Sequence, residues 1–206
     1  MSSEADMTVE ELQRLFPIGQ APTALDGMLW LHEQAKEIGS GGFIVEVGTW
    51  CGWSAAVMAL GGPTVLCIDT FMMSDTYIQE MAAVLRKREV PNLRSGTLDL
   101  FARRIADAGL GGRVVAVKAK SVEAAQAMAT EVADLVFLDA DHTLEAVRAD
   151  LLAWAPIVKP GGLLCLDNWE ILGVKRAVLE ARKTLLEGWS EPVEGCHQIW
   201  WTRKPR

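Results

Sequence analysis

The stretch "FLDADHTLEAV" (137–147) sets two carboxylates and an imidazole directly behind an apolar run, with Asp139, Asp141 and His142 following "ADLVFL". Groups of these types on one rim can hold a divalent cation, move a proton or grip a bound cofactor. A second set closes the apolar run "LLCLDN" (163–168), where Asp167 and Asn168 stand. Adjacent parallel strands lie about 4.8 Å apart, so Asp139, Asp167 and Asn168 at neighbouring strand ends would converge three hard oxygen donors on one point. Two carboxylates and a carboxamide match Mg²⁺ or another divalent cation, which keeps its remaining positions for water or substrate. Unpaired, the acids would repel one another, and a cation is the simplest reason to place them together. The alternative is that strand-end acids cap the helices that follow. For Asp141, in front of "TLEAV", capping is the preferred reading.

His142 lies three residues after Asp139. An imidazole, with an unperturbed pKa near 6.5, suits removal of a proton from a hydroxyl already acidified by a metal. The other two histidines have structural explanations, His32 in a helix and His197 in a terminal hairpin.

A third constellation is "VEVGTWCGWSAA", which reads as strand, glycine turn and helix. Gly48 and Gly52 permit a tight turn and close approach of a ligand to the backbone. Helix amides starting near Ser54 supply donors and a partial positive charge. The spacing is G-x-x-x-G and not the G-x-G-x-x-G of dinucleotide folds, so a pyrophosphate cradle fits poorly. Asp69 closes the next strand, where an acid accepts hydrogen bonds from both ribose hydroxyls; that suits NAD and S-adenosylmethionine equally. Glu46 separates the two. A carboxylate has no use beside a diphosphate, but it could pair with or orient the cationic amino-acid end of S-adenosylmethionine, directly or through water. The competing reading leaves Glu46 merely solvated beside the turn.

These residues need elements to carry them. Helical spacing covers 8–16 and 23–38, the latter ending at Gly39. Strands are expected at 43–48, 64–69, 113–119, 134–139 and 163–168, the last entered through a Pro-Gly-Gly turn at 160–162. Helices fill the intervals, at "SAAVMAL", 77–88, 98–109, "SVEAAQAMA" and "TLEAVRADLLAWAPIV", with another at 173–186. The end, "WSEPVEGCHQIWWTRK", reads as an antiparallel hairpin around a Glu-Gly turn. Alternating strands and helices imply a doubly wound α/β domain whose ligands lie beyond the carboxyl ends of its strands. Every candidate residue falls at such an end.

The composition agrees. The chain has 206 residues, half of them hydrophobic, enough for one domain with a full core. A formal charge of −7 argues against a nucleic-acid partner. No apolar stretch reaches the roughly 20 residues of a membrane span, and the N-terminus lacks the order of a secretory signal. Four scattered cysteines without a C-x-x-C pair are expected to be reduced. A cytoplasmic protein is the expectation.

"VEVGTWCGWS" resembles motif I of class I S-adenosylmethionine-dependent methyltransferases, "CIDTF" their ribose-binding acid, and "KPGGLLCLDNW" their fifth strand. The resemblance runs from about residue 25 to the end. It implies a Rossmann-like seven-stranded mixed sheet ordered 3-2-1-4-5-7-6 with helices on both faces, residues 25–206 forming the methyltransferase domain and 1–24 a helical extension. By the same match Glu46, Gly48, Thr49, Gly52, Ser54, Asp69, Thr70 and Asp139 would bind S-adenosylmethionine, with Ser121 near the adenine, although relatives often carry an acid where Lys120 stands. The "D…DN" pattern is similar to metal-dependent O-methyltransferases of the catechol and caffeoyl-CoA type, which implies Asp139, Asp167 and Asn168 as ligands of Mg²⁺. Some antibiotic-sugar O-methyltransferases carry a histidine at the position of His142, which implies His142 as the base.

The expected reaction is therefore methyl transfer to a hydroxyl of a small phenolic or sugar-type molecule. Met72, Met73, Tyr77 and Trp169 are candidates for the acceptor face, while Trp50 and Trp53 would cover the cofactor or wedge a helix. The N-terminal helices would form a lid or a homodimer contact. Rival readings are a metal-independent methyltransferase with an N or C acceptor, a nucleotide-dependent oxidoreductase on a similar sheet, and a catalytically silent binding protein.

Overall fold

A computed structural model describes residues 25–72, 97–190, 193–196 and 198–206. The helices expected at 8–16 and 77–88, together with Met73, Tyr77 and His197, lie outside the described residues. The elements in chain order are α1 (Leu25–Ile38), β1 (Phe43–Val47), α2 (Trp53–Leu60), β2 (Thr64–Asp69), α3 (Thr97–Asp107), β3 (Val114–Lys118), α4 (Ser121–Gln126), β4 (Ala133–Leu138), α5 (Leu144–Trp154), β5 (Val158–Leu166), α6 (Leu172–Ala181), β6 (Val193–Cys196) and β7 (Ile199–Arg203). The strands form one sheet ordered β3-β2-β1-β4-β5-β7-β6. β1 to β5 run parallel, and β7 pairs antiparallel with both β5 and β6. The sheet is mixed, in the Rossmann-like α/β class that the alternation predicts.

Strand periodicity divides the core in two. Ile44, Val65, Cys67, Leu135, Phe137, Leu163 and Cys165 point to one face and pack with buried residues of α1, α2 and α3. Their alternates Val45, Val47, Ile68, Val136, Leu138, Leu164 and Leu166 point to the other, against α4, α5 and α6. A strand buried on both faces must be apolar throughout. Glu46 therefore stands out: it is a fully buried carboxylate within β1.

Two boundaries differ from the sequence reading. Pro160-Gly161-Gly162 is not a turn leading into a strand but part of β5 itself, at an irregularity where Ala133 pairs with Val158 and Leu135 with Leu163. Gly161 takes φ +79° there, and its N–H donates to Lys204 O at 3.0 Å. The strand thus bulges without leaving the ladder, which a Pro-Gly-Gly string allows. The helix expected over 173–186 ends at Ala181 and passes into turns. His32 is buried on α1 with Nδ1 3.1 Å from Val57 O, in keeping with its structural reading.

Candidate active site

The carboxyl ends of β1, β2, β4 and β5 open on a cleft of about 740 Å³, a size that suits a small-molecule ligand. Its walls carry Gly48, Thr49, Ser54, Asp69, Thr70 and Ser121 from the expected cofactor set, and Asp139, His142, Asp167 and Asn168 from the expected metal and base set. The two sets share one cavity. Trp50, Trp53 and the exposed Met72 also line it. Trp169 does not; it is buried, stacked on Trp200 at 6.0 Å between ring centroids.

The loop after β1 is held from below and from the side. Glu46, absent from the cleft wall, accepts from Ser54 Oγ, and Cys67 Sγ lies 3.6 Å from its second oxygen. Burial pushes its pKa up to about 7, opposed by the Ser54 hydrogen bond. Glu46 thus acts on the cavity through Ser54, in the first turn of α2. Gly48 lies at φ +86°, and a Cβ there would fall 2.2 Å from Asp139 O. Its bareness lets β1 and β4 tips close together, so it sets the spacing of the site. Gly52 lies at φ +76°, and its Cβ would strike the Phe101 ring at 2.6 Å. The close approach expected of a ligand at Gly52 is made by α3 instead, and Gly52 is not in the cleft wall. Arg104, also on α3, donates to Cys51 O and lies 3.7 Å over the Trp53 ring. Trp53 is thereby fixed both as a cleft wall and as a wedge.

Asp69 joins two loops. Its Oδ2 accepts the Trp50 N–H at 2.8 Å and its Oδ1 the Phe71 N–H at 2.7 Å. A carboxylate has about four lone-pair sites, so two remain for hydroxyl donors in the cleft. Thr70 Oγ1 accepts the Met72 N–H at 3.3 Å, shaping the same turn.

At the other end, Asp139 and Asp167 follow adjacent strands and lie within hydrogen-bonding reach of each other. Burial is the main cause that holds both carboxyls far above the usual carboxylate range, with neighbouring acids adding to it. Asp167 Oδ1 is buried without a hydrogen-bond partner among the described residues. Asn168 takes φ +54°, a left-handed turn that asparagine tolerates and that ends β5 sharply. His142 Nε2 lies 3.5 Å from Asp139 Oδ1, buried and otherwise unpartnered. Burial lowers the His142 pKa, partly offset by Asp167. Among the described residues no three His, Cys, Asp or Glu side chains gather to hold an ion; a cation here needs the Asn168 oxygen as well.

Asp141 is not itself the cap of α5. Thr143 is, its hydroxyl accepting from Ala146 N–H at 3.4 Å, while Asp141 Oδ1, two residues before it, accepts the Thr143 N–H at 2.8 Å.

Sequence reasoning missed Asp150. It is buried on α5, lines the cleft, and accepts from Ser121 Oγ, which in turn accepts from Trp154 Nε1 at 2.8 Å. The signal was present: Val147, Leu151 and Trp154 mark the buried stripe of α5 at helical spacing, and Asp150 falls on that stripe.

Over residues 45–169, more than half of its length, the chain matches the model of a family described as "Methyltransferase domain". The chain belongs to this methyltransferase family. It is accordingly an S-adenosylmethionine-dependent methyltransferase. Solved structures share the fold of this methyltransferase. The O-methyltransferase NovP is similar with a TM-score of 0.66 at 17% identity, over 89% of this chain and 81% of NovP. The methyltransferase PaMTH1 of Podospora anserina, bound to S-adenosylhomocysteine, has a TM-score of 0.64 at 13% identity, over 96% and 86%. The O-methyltransferase TomG of Streptomyces achromogenes, solved with S-adenosylmethionine, has a TM-score of 0.61 at 15% identity, over 100% and 92%. Among the described residues of this methyltransferase, no helix is long and apolar enough to cross a membrane.

Proposed function

We propose that this methyltransferase moves the methyl group to a hydroxyl of a small phenolic or sugar-type molecule, with a divalent cation on Asp139, Asp167 and Asn168 and with His142 as base. The carrying observation is the partnerless, buried Asp167 Oδ1 beside a second carboxyl whose ionisation burial opposes. Two abutting acids without compensating charge are costly, and a cation relieves both. That the neighbours NovP and TomG are O-methyltransferases supports an oxygen acceptor.

When bound, S-adenosylmethionine supplies an electrophilic methyl group and the cation a Lewis acid that lowers the pKa of a hydroxyl. The chain does the rest. Asp69 receives the ribose hydroxyls on its spare lone pairs, and Thr49, Ser54 and Thr70 shape the wall beside it. Asp139, Asp167 and Asn168 line the end of the cleft where the acceptor would be held, and Asp139 would also be available to the amino group of the cofactor. His142, kept neutral by burial, takes the hydroxyl proton as the methyl group moves. Orientation supplies much of the acceleration.

The test is methyl transfer from S-adenosylmethionine to panels of catechols, phenols and sugars, with Mg²⁺ and with a chelator. Transfer to a hydroxyl that the chelator stops is expected. Undiminished turnover in chelator supports the metal-independent reading instead.

A further inference from the structure

We propose that Asp150 recognises the exocyclic amino group of the adenine of S-adenosylmethionine, so that the base is read from α5 as well as from the loop after β3. This assignment rests on the cofactor class and on the proposed ribose role of Asp69, and is independent of the metal and of His142.

The cleft has two ends. Asp139, His142, Asp167 and Asn168 occupy the β4–β5 end, and Asp69 at the tip of β2 is the proposed acceptor for the ribose hydroxyls. The base must then extend past β2 toward Ala119, Lys120 and Ser121. Lys120 at that end is mostly exposed, in an ion pair with Glu123. Asp150 is the carboxylate tied to Ser121 there. It reaches the same wall from two turns into α5 although only 6% of its surface is exposed.

The direction of the hydrogen bonds decides what ligand fits. Trp154 Nε1 donates to Ser121, and Ser121 donates to Asp150. The relay runs one way and ends on a carboxylate, which can only accept. One hydroxyl donor leaves most of its lone-pair sites to be filled, and a buried acceptor short of donors is unfavourable. Burial does hold this carboxyl above its usual range, the Ser121 bond only partly opposing it. A planar base carrying an amino group offers the missing donor. A base with an oxygen at the same position sets acceptor against acceptor. The small residues Ala119 and Ala146 line the same cleft.

The experiment is calorimetric titration of the full chain with S-adenosylhomocysteine and with S-inosylhomocysteine, its 6-oxo counterpart. Wild type is expected to bind the amino form at least about thirtyfold more tightly, the scale of one hydrogen bond to a charged group. In Asp150→Asn, whose carboxamide can turn its NH₂ toward a 6-oxo group, the ratio should fall to about threefold or less. Equal binding of both ligands by wild type overturns the proposal. So does Asp150→Asn that loses affinity for both ligands alike and keeps the wild-type ratio, because that is what a purely structural role gives. If Asp150→Asn proves unfolded by circular dichroism, wild type titrated with the N6,N6-dimethyl analogue decides: loss comparable to that of the 6-oxo ligand supports the assignment, and unimpaired binding overturns it.

Discussion

His142 Nε2 lies 3.5 Å from Asp139 Oδ1, so the proposed base and a proposed metal ligand share one edge of the cleft. The ring is half-buried, and that burial holds its pKa below the usual 6.5. A histidine with a lowered pKa is neutral at pH 7 and gains its proton only in more acidic solution. Turnover that needs the neutral ring therefore rises with pH through that lowered pKa and is flat above it. His142→Ala is expected to lose about 10²–10⁴-fold in kcat, to lose this acidic limb, and to bind S-adenosylmethionine nearly as wild type does. Unaltered turnover acquits the histidine.

Asp139 and Asp167 resist ionisation together. A cation bound by both must displace whatever proton they retain, so affinity for Mn²⁺ or Mg²⁺ should climb with pH. The expected gain approaches about tenfold per pH unit for each proton released, read by calorimetry at pH 6, 7 and 8. In Asp167→Asn both the affinity and its pH dependence should collapse. Cation binding that does not change over this range counts against the assignment.

Glu46 makes the opposite contribution to the fold. Its pKa rises from 4.5 to about 7 on burial, so the folded state holds a proton that the unfolded chain has released. Its contribution to stability is full below pH 4.5 and is lost as pH rises through about 7, a swing of about 3 kcal/mol. Glu46→Gln should flatten that decline and melt at higher temperature than wild type above pH 7.5, without ligand. A wild-type melting temperature that holds level from pH 5 to 8 contradicts this account.

Gly173, in the first turn of α6, leaves room for the loop that carries the base. A Cβ there would sit 2.6 Å from His142 O. Gly173→Ala should displace His142, costing about 1–3 kcal/mol of stability and reducing kcat more than S-adenosylmethionine affinity. Thermal melts and steady-state kinetics measure the two effects. A variant with wild-type kcat would show that the loop absorbs the methyl group harmlessly.

The fold was legible because the central stretches of β1, β2, β4 and β5 are apolar, Glu46 excepted, and polar residues follow them, a pattern that suits a sheet covered on both faces. The cleft residues were legible for the same reason: Asp69, Asp139 and Asp167 sit where the apolar runs stop. What escaped depends on contacts between distant segments. Nothing local to Gly52 announces Phe101, and nothing local to Gly173 announces His142 O. Glu46 was visible as a carboxylate but not as one sealed beneath Ser54, because a single strand does not reveal how deep its edge lies. Asp150 was hidden by being one acid in an amphipathic helix, and only its phase on the buried stripe marked it.

Asp69 has a consequence of its own. One side chain accepts from the Trp50 and Phe71 amides, so the two segments flanking the proposed ribose position are tied to each other. Replacing Asp69 is expected to slacken both banks of the cleft together with the loss of its proposed grip on the ribose.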